Sequence, residues 1–137
     1  MQEIYINVPA VLVAAVSSLV VGGLWYSPLM FAKPWAAAVG LTEEEIRAGG
    51  SQPMLYITAF LGGLAGAFVV AVVSSWAEVT SLVDGMLVGL LIGIGAVAAN
   101  KWIAAGFEKR SKALFLINAG ADIVTFAVMG AIIGAWR

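Results

Sequence analysis

Apolar residues run through the chain in four long stretches with short polar breaks between them. The first covers about Val8 to Tyr26, the second Pro53 to Trp76, the third Ser81 to about Ala105, and the fourth about Ala113 to Trp136. At 1.5 Å per residue the first is about 28 Å long, close to the thickness of a bilayer's hydrocarbon core. The pattern predicts an all-α polytopic membrane protein, one domain over residues 1–137 with four transmembrane helices. The later turns are short, so neighbouring helices form an antiparallel bundle.

The breaks carry helix punctuation. Asn7 is placed to cap the first helix, with Pro9 tolerated in its first turn. The stretch Gly22 to Trp35, GGLWYSPLMFAKPW, reads as a helix leaving the membrane: Trp25 and Tyr26 at the boundary, Pro28 ending or kinking the helix, then Lys33 and Trp35. Gly40 reads as a stop. Thr42-Glu43-Glu44-Glu45 reads as a capping box opening a short surface helix to Ala48, ended by Gly49-Gly50, between the first and second spans. Ser51 or Gln52 caps the second span. Ser81 with Asp84 forms another capping box, which gives Asp84 a structural task. Trp25, Tyr26, Trp35, Trp76 and Trp136 are the expected interface anchors, because indole and phenol rings are greasy at one end and wet at the other.

Lys33 and Arg47 lie in the first break, and Lys109, Arg110 and Lys112 in the third; the opposite side has only Arg137. The positive-inside rule places both basic breaks in the cytoplasm and both termini outside a cell membrane. No Lys or Arg precedes the first apolar run, so it reads as a permanent helix and not a removed signal.

Small residues recur four apart, on one face of each helix. They are Ala10, Ala14, Ser18 and Gly22; Ala59, Gly63, Ala67, Ala71 and Ser75; Gly85, Gly89 and Gly93; Gly130 and Gly134. Glycine-rich helix packing is expected, because lipid tails do not drive helices together and close backbone approach does. Ladders beyond the needs of one bundle point to a homo-oligomer as well as to lipid contacts.

Composition then removes whole classes of function. Of 137 residues 62% are hydrophobic and only 11% charged, where a soluble domain is about 25% charged. The net charge of −1 and the absence of a basic run give no reason to expect nucleic acid. There is no Cys and no His. Their absence excludes disulfides and thiolate metal sites, and takes away most nucleophilic and general-base chemistry. No enzyme activity, cofactor or metal is expected.

What remains is a set of polar residues inside the spans. Asp122 lies about 14 Å into the fourth helix. Asn118 and Thr125 share its face. A charge at that depth costs about 2.5–3.5 kcal/mol on insertion scales. Asp122 is therefore expected to be neutral, paired with Lys101, or hydrogen-bonded within this stripe. The stripe reads either as interhelical glue or as a proton or cation site beside a hydrated cavity. Asn100 is in line with Gly89 and Gly93, so it is expected to face and bond a neighbouring helix. Lys101 points about 100° away from it. It is expected to snorkel to the cytoplasmic surface, with a pair to Asp122 as the alternative.

Leu24-Trp25-Tyr26-Ser27-Pro28 with Phe31, Lys33 and Trp35, Phe115-Leu116-Ile117-Asn118-Ala119-Gly120, and Met129-Gly130-Ala131-Ile132-Ile133-Gly134-Ala135-Trp136 together resemble a known family. It is the group of small bacterial and fungal membrane proteins catalogued as domain of unknown function 1761, and the resemblance covers nearly the whole chain. It implies a four-helix integral membrane protein, with no catalytic or ligand residue to carry over. Two functions are therefore weighed: a structural or accessory membrane subunit that binds a partner or lipid, and a small transporter or ion-coupled permease using Asp122.

Overall fold

The computed structural model describes residues 3–42, 44–45 and 53–136. Among these the protein is all-helical: α1 (Val8–Trp25), α2 (Ala32–Val39), α3 (Pro53–Trp76), α4 (Leu82–Phe107) and α5 (Lys112–Ala135). All but α2 are long and apolar enough to cross a membrane.

Each end has a local cause. The Asn7 side chain accepts from the Ala10 N–H at 3.2 Å and caps α1, while its Nδ2 donates to the Trp136 carbonyl at 2.9 Å. One side chain thus starts the first span and fastens it to the end of the last. Nearby, the Tyr5 N–H donates to Ser75 Oγ at 2.8 Å, which ties the same end to α3. Ser81 caps α4 through the Asp84 N–H, and Ser111 caps α5 through the Leu114 N–H.

α1 stops at Trp25 because Pro28 has no N–H with which to continue the ladder. The chain turns at once: the Phe31 N–H reaches back to the Trp25 carbonyl and the Ala32 N–H to that of Ser27. α2 follows and ends at Gly40, whose φ of 83° is the left-handed conformation that glycine adopts without strain. α2 is a helix that the hydropathy pattern does not announce, and the chain turns helical again at Glu44-Glu45, within the Thr42 box. At that box, Thr42 Oγ1 accepts from the Glu45 N–H at 3.2 Å. Glu43, the rest of that predicted helix to Ala48 with its Gly49-Gly50 stop, Arg47, the Ser51/Gln52 cap and Arg137 lie outside the described residues.

α5 is the centre of the bundle and touches each of the other helices. It meets α1 and α3 around Ala10, Ala14, Ala67, Val70, Ala71, Met129 and Ile133, a core of mostly small residues. The α4–α5 contact at that same end is closer still. A Cβ added to Gly85 would run into the Gly130 carbonyl oxygen, one at Gly89 into that of Phe126, and one at Gly134 into that of Ser81. Only hydrogen fits between the two backbones here.

Apolar residues cover much of the outside. Leu12, Val16 and Val20 on α1, Leu61 and Phe68 on α3, Leu87 and Leu91 on α4, and Leu116 and Val124 on α5 are exposed. Water would not tolerate so continuous an apolar surface, and lipid would.

Halfway along α4 the hydrogen-bond pattern changes. Gly93–Ala98 is π-helical, with the Ala99 N–H reaching the Ile94 carbonyl. A π-turn holds an extra residue, so everything after it is rotated by about 100° relative to an unbroken α-helix. That rotation decides which side chains face α5 beyond Gly93.

Candidate functional site

Beyond the π segment α4 no longer lies backbone to backbone against α5, and charged side chains occupy the space. The Lys101 ammonium forms an ion pair with Asp122 Oδ2; the side chains are 47% and 26% exposed. Of the two expectations for Lys101, the structure has the pair with Asp122. With the π-turn, Lys101 comes into line with Gly89 and Gly93, the place that an unbroken helix would give to Asn100. For the same reason Asn100, expected to bond across to a neighbour, is exposed on the outside of α4.

The other members of the stripe part company. Asn118 Oδ1 accepts from the Tyr26 hydroxyl at 2.7 Å. Thr125 is half-buried one turn beyond Asp122 and joins neither the ion pair nor this hydrogen bond. The polar cluster is thus Lys101, Asp122, Asn118 and Tyr26, drawn from α4, α5 and the end of α1.

The end of α1 is clasped to α5 by its aromatic rings. The Trp25 indole N–H donates to the Ile117 carbonyl at 2.9 Å. Its ring lies on Gly120, where an added Cβ would come within 2.8 Å of it. Phe31 packs on Trp25 with centroids 4.7 Å apart, and Trp35 meets Tyr26 edge-on at 5.9 Å. Among the five expected anchors, then, Trp25 turns inward and Tyr26 spends its hydroxyl on Asn118. Trp76 and Trp136 stand exposed at the ends of α3 and α5. Burial, and after it the charge of Asp122, push the Tyr26 phenol from its ordinary 10.0 up to about 12. It therefore stays a donor at any physiological pH.

A cavity of about 140 Å³ opens beside the ion pair between α4 and α5. Lys101 and Asn118 face it from within, and Glu108, Arg110 and Phe115 line its wall. Arg110 Nε pairs with Glu108 Oε2 at 2.5 Å. These lining residues lie in the loop and the first turn of α5, and the stripe on α5 alone does not point to them. A Lys, Arg or aromatic residue within one turn of the hairpin is the signal that would have found them.

Chemically this cluster can neutralise the Asp122 charge, fasten three helices and present cations at one end. It pairs no nucleophile with a base. Among the described residues no three His, Cys, Asp or Glu side chains gather as a metal site would require.

The sequence matches the family described as "Protein of unknown function (DUF1761)" over residues 9–134, from the first turn of α1 to the last turn of α5. No curated protein and no solved structure matches the chain.

Proposed function

The chain belongs to the DUF1761 family, and we propose that it is a non-catalytic structural or accessory subunit of the cell membrane. It crosses four times with both termini outside, and it holds lipid or a partner along its apolar faces. The observation that carries this reading is the Lys101–Asp122 pair. A carboxylate that relays protons or cations needs water on one side and a way to lose its counter-charge. Here the counter-charge is built in, and the cavity is lined by Lys101 and Asn118 rather than by Asp122. The basic residues of the α4–α5 loop support the orientation.

Transport is the competing reading, and one experiment separates the two. Wild type and Asp122→Asn are reconstituted in vesicles holding a trapped pH dye, and an imposed pH gradient is followed. The expected result is the same slow decay for both proteins and for empty vesicles. A faster decay in wild type that Asp122→Asn abolishes would replace the subunit reading with a proton-coupled one.

A further inference from the structure

The α4–α5 hairpin carries a second groove, of about 430 Å³, which shares Arg110 and Phe115 with the cavity beside the ion pair. Its floor is apolar: Trp102 from α4, with Phe115 and Leu116 from α5. Its rim is cationic and hydroxylic: Lys109, Arg110, Ser111 and Lys112. None of its lining residues is acidic. The groove continues outward along exposed side chains, with Trp102 69% and Leu116 65% accessible.

The rim is held in place by the backbone. Lys109 has a φ of 55°, a left-handed conformation in which a residue other than glycine is uncommon. It closes α4 with the 6→1 bond of a Schellman turn, the Arg110 N–H on the Ala105 carbonyl at 3.0 Å, just after the helix's last α-type bond from the Glu108 N–H to the Ala104 carbonyl at 2.9 Å. Arg110 is fixed again by Glu108 through Nε. Topology alone asks only for positive charge near this end of the spans. It does not ask for a groove whose greasy floor runs into the lipid-facing surface beneath a preset cationic rim.

We propose that this groove binds the headgroup of an anionic phospholipid. Lys109, Arg110 and Lys112 would hold the phosphate, and the acyl chains would run down over Trp102 and Leu116. A guanidinium meets phosphate oxygens with a planar fork, and the two lysines add point charges that zwitterionic lipids do not need. Basic pockets between spans on the cytoplasmic side suit such lipids. The proposal rests on the four-span orientation given above.

The test is native mass spectrometry of the detergent-purified protein, titrated with dioleoyl phosphatidylglycerol or dioleoyl phosphatidylcholine. The expected result is one retained phosphatidylglycerol, favoured at least about fivefold over phosphatidylcholine. That ratio should fall to near one in Arg110→Gln/Lys112→Gln and stay unchanged in Lys33→Gln, which alters a basic residue outside the groove. All three positions are exposed, so the variants should keep the wild-type melting temperature. Equal retention of the two lipids by wild type would overturn the site. So would a Lys33→Gln loss matching that of the double variant, which would mean bulk charge. Displacement of the lipid by millimolar inorganic phosphate would assign the rim to the free anion instead. A cysteine beside Lys109 that resists an impermeant thiol reagent outside cells supports the orientation independently. Lost lipid preference with that protection intact would remove the lipid site alone.

Discussion

The α4–α5 pair is two different contacts laid end to end. At the end carrying the chain termini, Gly85 and Gly89 lie against Gly130, Gly134 and the Phe126 backbone with no room for a methyl group. At the end carrying the basic loop, the helices stand apart around a cavity, and Lys101 reaches across to Asp122. The first contact is made of dispersion between backbones, which fades within a fraction of an ångström. The second is made of charge and tolerates a gap. A membrane helix pair can thus be rigid at one end and accommodating at the other, and the π segment sits where one regime gives way to the other.

The harshest way to break this contrast is to put bulk into the tight end. Gly89→Leu must push the helices apart, at a cost of about 3 kcal/mol or more. Thermal unfolding in detergent should show a large drop. A variant that melts with wild type would mean that this contact does not hold the bundle together.

A smaller effect is expected at the open end, and it should be asymmetric. Lys101→Met leaves Asp122 on a short stem with no partner, at a cost of about 2 kcal/mol; the nearby cavity keeps this below the ~2.5–3.5 kcal/mol of a charge at a helix centre. Asp122→Asn should cost nearer 0.6 kcal/mol, about the average for an interhelical hydrogen bond in a membrane protein. The freed lysine can swing its long stem into the cavity. Equal losses, or a greater loss for Asp122→Asn, would contradict an ion pair that lysine can leave and aspartate cannot.

The smallest effect belongs to the clasp at Tyr26. Its phenol titrates near 10.0 when unfolded and at about 12 when folded. Below pH 10 both states are protonated and the contribution is whole. As pH rises from 10 toward 12 the unfolded chain ionises first, so stability falls. Tyr26→Phe should melt at a slightly lower temperature near neutrality, having lost the bond to Asn118, and should show a shallower decline above pH 10. Parallel curves for the two proteins would deny the Tyr26 phenol its hydrogen-bonded place beside Asp122.

Hydropathy and caps were enough to read the four spans, and α3 begins at Pro53 and ends at Trp76 as the pattern indicates. Asn7 and Ser81 cap where their side chains promise. The α2 helix is hard to see in the sequence because Pro28 and Pro34 look like loop punctuation, although proline suits a helix's first turn. The site was harder to read. Aromatic residues at a span's end reveal depth, but not that the Trp25 ring would turn in onto Gly120. Asn100 and Lys101 exchanged roles because a periodicity argument assumes 3.6 residues per turn throughout, and the residues from Gly93 to Ala98 do not obey it.

That departure also works as a spare residue stored within α4. In most membrane helices the loss of one residue turns everything downstream by about 100° and scrambles its contacts. Here, loss of exposed Gly95, where an added Cβ would meet nothing within 4 Å, would let the π-turn relax to an ordinary α-turn. Lys101 would still face α5. The stretch between the glycine contact and the ion pair is thus a place where the span can change length without changing its face.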